Sequence, residues 1–210
     1  MILVGQFDSP VTRRVGVVLH HYAIPFTRDA RSIFTDAVEI AKITPMLRIP
    51  ALVLDDGEVL IDSNAILDYL DEQVGPTRAL IPPSGPFRRK ILQATARASA
   101  CFEKSGTLVY ERIFHPPEHV SHQWEARCQA QLAAGLAELE QRYEGPWLCG
   151  ETLTHADIML ACAIGYMNLR LASAFPPAQY PKLKALAANC EALPAFIAAR
   201  IGANETMPTV

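Results

Sequence analysis

The chain has 210 residues, half of them hydrophobic (50%), and a formal net charge of −3. Such a chain can bury a full core as one large domain or two small ones, and with no basic block beyond Arg88-Arg89-Lys90 it is not built for nucleic acid. No apolar run is long enough to span a bilayer, MILVGQF lacks a charged leader, and Cys101, Cys128, Cys149, Cys162 and Cys190 are widely spaced, odd in number and without a C-x-x-C pair, so the expectation is a cytoplasmic chain with neither disulfides nor a zinc site.

Residues 1–6 read as a strand, and Gln6-Phe7-Asp8 leads out of it into Ser9-Pro10. Proline suits the first helical position, which makes Ser9 the N-cap of a helix over 10–22. Val11, Val15, Val18 and Tyr22 form its apolar face, and Arg13 falls about one turn on from Ser9, on the same side of the axis. A hydroxyl, a helix N-terminus and a guanidinium are thus expected to converge, and such a place lowers the pKa of any thiol brought to it.

A strand over 26–30 and a helix over 35–43 follow. Residues 48–70, RIPALVLDDGEVLIDSNAILDYL, then pack several signals together. Ala51-Leu52-Val53-Leu54 reads as a strand, Asp56-Gly57 as a two-residue hairpin turn, and Val59-Leu60-Ile61 as the antiparallel return. Ser63 suits the N-cap of the next helix, whose apolar face is Ile66, Leu67 and Leu70. A helix start carries unpaired N–H groups and about half a positive charge, so Ser63 can hold a carboxylate while Asp62 pairs with an ammonium. The two together fit the α-amino-acid end of a ligand. The order to this point is βαβαββα.

Gly75-Pro76, Pro82-Pro83 and Gly85-Pro86 then form a stretch that no helix or central strand tolerates. Beyond it Ile91, Thr95, Ala98, Phe102, Ser105 and Val109 recur at helical spacing, as do Leu132, Leu136, Leu139 and Tyr143. The expectation is an α+β chain: an N-terminal domain over 1–76, a linker over 77–85 and an all-helical domain over 86–210. Within the latter, Thr154-His155-Ala156-Asp157 is a capping box stapled by Leu153 and Ile158, which assigns Asp157 to folding, with a lost cap costing on the order of 1 kcal/mol. His115, His119 and His122 have the spacing of metal ligands on a helix, but Pro116-Pro117 interrupts it, so no metal is expected.

This arrangement, with Ser-Pro at the first helix, Ile49-Pro50 before the third strand, Asp62-Ser63 at the last helix and a helical domain bearing the Thr154 box, resembles the cytosolic glutathione S-transferases over nearly the whole chain. The resemblance implies a thioredoxin-like N-terminal domain, an all-helical C-terminal domain and a homodimer. It implies that Ile49 offers its backbone to the cysteinyl part of glutathione before a cis Pro50, that Asp62 and Ser63 hold the γ-glutamyl end, and that Ser9 stabilises the thiolate. A thiol of pKa about 8.5 is only about 3% ionised at pH 7, and lowering it by about two units takes about 2.7 kcal/mol. Phe7, Tyr110 and Phe114 are the implied second-substrate residues, and a small hydrophobic electrophile is the implied partner. The expected activity is glutathione transfer of the detoxifying kind, with glutathione as cosubstrate and no metal. The alternatives are glutathione-dependent reduction of peroxides or disulfides and a non-catalytic binding module. Serine at position 9 points away from classes that form a mixed disulfide there, and the Ser-Ser-Cys run of the isomerase class is absent.

Overall fold

A computed structural model of the chain describes residues 1–205. In order these form β1 (Ile2–Val4), α1 (Pro10–His21), β2 (Thr27–Asp29), α2 (Ala37–Ala41), β3 (Ala51–Val53), β4 (Val59–Leu60), α3 (Ser63–Val74), α4 (Gly85–Phe114), α5 (His122–Arg142), α6 (His155–Arg170), α7 (Pro181–Glu191) and α8 (Pro194–Ala198). Contacts divide them into two compact units. One holds Met1–Leu80 together with 192–205, and the other holds Ile81–Glu191.

The first unit has the expected βαβαββα order. Its sheet runs β2-β1-β3-β4, with β1 parallel to β2 and antiparallel to β3. The parallel pair needs a crossover, which α1 supplies. This is the thioredoxin-like arrangement. Leu3, Val4, Ala51 and Leu52 are buried in the sheet, and Ile66, Leu67 and Leu70 of α3 pack toward α1. Because α8 packs on α1 as well, that helix is buried from Thr12 through Leu19, the two arginines included.

Local details differ from the sequence expectation. The hairpin loop is one residue longer than Asp56-Gly57: the Gly57 N–H donates to the Leu54 carbonyl at 3.1 Å and the Leu54 N–H to the Glu58 carbonyl at 2.8 Å. Gly57 takes φ +93° there, the left-handed conformation that follows a type I turn in a hairpin of this length. The N-cap of α3 is Asp62, not Ser63. Its carboxylate accepts from the Asn64 N–H at 2.7 Å, and Ser63 becomes the first helical residue.

The second unit is all helical. From His155 to Ile164 every residue of α6 is buried, which is what a helix apolar around its whole circumference requires, and α4 and α7 pack on it. The Thr154 box forms: Asp157 accepts from the Thr154 N–H at 2.8 Å and from its hydroxyl at 2.7 Å. The other carboxylate oxygen accepts from the Leu148 N–H at 2.7 Å. Glu140 of α5 caps α7 by accepting from the Lys182 and Leu183 N–H groups, each at 3.0 Å. No helix among the described residues is long and apolar enough to cross a membrane.

Candidate functional site

The site grows from the connection between β1 and α1. Gly5, at φ +126°, ends the strand with its N–H donated to the Asp29 carbonyl at 2.8 Å. A Cβ there would lie 2.9 Å from the Ile49 Cβ, so only glycine lets the segment before Pro50 come this close to the turn. The Ile49-Pro50 bond is cis, Pro50 is buried and Ile49 half-buried. Ser9 closes the turn, half-buried, as the N-cap of α1. Its hydroxyl makes no capping hydrogen bond, Pro10 at the first helical position has no N–H to satisfy, and the hydroxyl is not spent on the helix.

From Ser9 the helix carries two arginines into different surroundings. Arg13, expected beside Ser9, donates its Nε to the Ala199 carbonyl at 3.0 Å and lies over the Phe196 ring at 5.3 Å. It therefore anchors α8 and the chain that follows. Arg14 is the one that reaches the start of α3. Its Nη2 donates to Ser63 Oγ at 2.5 Å and to Asn64 Oδ1 at 2.8 Å. Because Ser63 accepts from the guanidinium, its own hydroxyl proton is polarised and can be given to an anion. Ser63 is 2% exposed while Asp62 and Asn64 face solvent, so the start of α3 has a buried basic support and an acidic rim. Arg14 and Asn64 were missed from the sequence, although two adjacent arginines in an apolar helix were a signal that one of them is held inside.

The implied second-substrate residues separate. Phe7 is 2% exposed, with the Arg28 guanidinium 3.5 Å from its ring centroid and Gly16 against its edge. It is enclosed within the first unit. Tyr110 and Phe114 stand on α4 in the second unit at 43% and 55% exposure, in an edge-to-face pair with centroids 5.5 Å apart. Among the described residues no three His, Cys, Asp or Glu side chains gather as metal ligands. His115 and His122 instead lie beside Glu111 and Glu125, at 3.6 and 3.7 Å.

Comparison with known proteins agrees with the fold of the two units. The family model described as glutathione S-transferase, N-terminal domain, matches residues 8–73, and that described as glutathione S-transferase, C-terminal domain, matches 123–188. The chain is 31% identical over 159 residues to a maleylacetoacetate isomerase from Pseudomonas aeruginosa, covering 73% of this chain and 71% of that one. A glutathione transferase family member from Pseudomonas fluorescens Pf-5, solved with bound glutathione, is 30% identical with a TM-score of 0.82, over 96% of this chain and 98% of that one. A structure from Methylobacterium radiotolerans, in complex with glutathione sulfonate, superposes with a TM-score of 0.90 at 24% identity, over 100% of this chain and 98% of that one, and speaks to the fold.

Proposed function

The chain belongs to the glutathione S-transferase family, and on that premise we propose that it binds glutathione on its first unit and activates the thiol for attack on a hydrophobic electrophile. One observation carries the reading. A single helix, α1, bears at its N-cap a serine whose hydroxyl the helix does not use, and one and a half turns on an arginine tied to Ser63. In this reading Ser63 donates to the α-carboxylate of the γ-glutamyl group, Asp62 takes its ammonium with the oxygen that the Asn64 cap leaves, and the backbone of Ile49 before Pro50 aligns the cysteinyl part. The sulfur then lies at Ser9, where the hydroxyl and the α1 N-terminus favour the thiolate. The thiolate forms the new C–S bond and the electrophile loses its leaving group. Tyr110 and Phe114, exposed on α4, are the proposed apolar contacts of that second substrate.

A second reading is supported by the relative named maleylacetoacetate isomerase. There the same thiolate would add to a cis double bond and leave again after rotation, with no net conjugation. Both readings need Ser9 and Ser63.

The test is calorimetric binding of glutathione together with turnover of an aryl chloride and of a cis-butenedioyl substrate, for wild type, Ser9→Ala and Ser63→Ala. Ser9→Ala should retain glutathione affinity and lose about 100- to 1,000-fold in kcat, the range for one lost donor at a developing or stabilised anion. Ser63→Ala should weaken glutathione binding. A wild type that does not bind glutathione overturns the proposal, and full turnover by Ser9→Ala removes Ser9 as the catalyst.

A further inference from the structure

The turn that presents Ser9 is held at its centre by a residue from the far end of the chain. Its outer backbone groups are secured locally, Gly5 N–H by the Asp29 carbonyl and Ser9 N–H by the Gln6 carbonyl at 3.3 Å. Phe7 N–H, between them, donates instead to Glu205 Oε2 at 2.6 Å. The same carboxylate oxygen accepts from the Arg28 guanidinium, and the other accepts from the Gly202 N–H at 3.3 Å. Arg28 in turn covers the Phe7 ring. Glu205, Arg28 and Phe7 therefore close on one another, and Glu205 is buried in doing so.

We propose that Glu205 is a positioning residue for Ser9: by gripping the Phe7 peptide and the guanidinium that covers the Phe7 ring, it holds the β1–α1 turn so that the Ser9 hydroxyl and the first N–H groups of α1 meet the glutathione sulfur together. This rests on the function proposed above. A buried carboxylate supplies a charge-assisted bond to an N–H that has no place in the sheet or the helix, and the loss of that support frees both the peptide and the ring. Because Asp62 and Ser63 lie on α3, away from this turn in the chain, the grip bears on the sulfur end of glutathione and leaves the γ-glutamyl end alone. Supporting contacts of this kind matter because a displacement of about 1 Å at a reacting group costs up to about a hundredfold in rate.

The experiment uses the full chain as wild type, Glu205→Ala and Glu205→Gln. Amide exchange over residues 5–9 is measured without ligand, the ionisation of bound glutathione by thiolate absorbance against pH, and kcat and KM for glutathione with an aryl chloride. Glu205→Ala should lose about 10-fold or more of the exchange protection at Phe7, raise the apparent pKa of the bound thiol, and lower kcat about tenfold with KM for glutathione changed less than about twofold. Glu205→Gln keeps an acceptor for Phe7 and loses the ion pair with Arg28, so it should fall between the two, and it carries the same comparison if the alanine variant does not fold. Unchanged exchange at residues 5–9 overturns the grip. Faster exchange with the thiol pKa and kcat of wild type overturns the positioning role and makes Glu205 a stabilising residue only. A wild type that binds no glutathione overturns the functional half through the proposed function itself, and the exchange measurement, which needs no ligand, still decides the grip.

Discussion

At position 16 two residue-scale effects oppose each other, and their sizes decide the outcome. Gly16 lies within α1, where alanine in its place would favour the helix by about 1 kcal/mol. The added methyl, however, would stand 2.5 Å from Cε1 and Cζ of Phe7, which has Arg28 over its face and is already buried. Forcing a group into a filled space costs about 1–3 kcal/mol, so Gly16→Ala should destabilise the chain by about 1 kcal/mol and, by displacing the Phe7 turn, lower turnover. Denaturant unfolding with a parallel activity assay checks this; a more stable and fully active variant would show that Phe7 is free to retreat. The residues of the site differ in how far they could be read ahead of the fold. Ile49 and Pro50 enter as candidate ligand residues through the family resemblance, whereas Ser9, Asp62 and Ser63 announce themselves as candidates by local rules, since an N-cap and a strand-to-helix junction depend on immediate neighbours. Choosing between Arg13 and Arg14 does not. The two point about 100° apart on the helix, and which faces α3 is settled by where α8 packs, from residues far along the chain. Glu205 leaves no pattern at all, because its main partner at the turn is a backbone N–H.

At the scale of elements the same distinction holds. Elements with a complete local code came out as read: the α1 start at Ser9-Pro10, the α3 helix over its apolar stripe, and the Thr154 box. Where the ends of an element depend on pairing, the reading was too generous. The run 26–30 yields only the three residues of β2, which pair with β1 alone, and the helix expected over 35–43 keeps five residues because only Ile40 among them is buried. The box also does more than close α6. Asp157 is fully buried and accepts from the Leu148 N–H as well as from both donors of Thr154, so it ties the loop before α6 to the helix start. Asp157→Asn would leave one of these buried donors facing an amide NH2. Instead of the 1 kcal/mol of a lost cap, the expected cost is about 2–4 kcal/mol, or a fall in melting temperature of roughly 5–15 °C. A fall of only a degree or two would mean that the Leu148 bond contributes nothing.

The whole molecule should be most sensitive to alkali, and both units contribute. All five cysteines are buried. In the second unit, burial pushes the Cys101 thiol up to about 12, and Cys149, beside the Asp157 carboxylate as well, up to about 11. In the first unit, burial and the hydrogen bond to Asp71 push the Tyr22 hydroxyl above its ordinary value, while the same oxygen accepts from the Leu80 N–H at 2.7 Å. Each is an acid whose folded pKa lies above the unfolded one, so between those two values the folded chain holds a proton that the unfolded chain has released, and stability falls as pH rises. Unfolded thiols ionise near pH 8.5 and unfolded tyrosine near pH 10, so the loss begins at about pH 9 with the second unit and extends above about pH 10 to the first. By pH 10 each of the two thiols should cost roughly 1–2 kcal/mol. Melting temperature should therefore be level between about pH 7 and 8 and decline steadily beyond about pH 9. The double variant Cys101→Ala, Cys149→Ala removes two groups that contribute to the start of the decline. It begins from a lower melting temperature, having lost buried atoms, but its decline between about pH 9 and 10 should be shallower than that of the wild type. A double variant that follows the wild-type slope would place the alkaline sensitivity elsewhere, and Tyr22→Phe would then be the variant to flatten it.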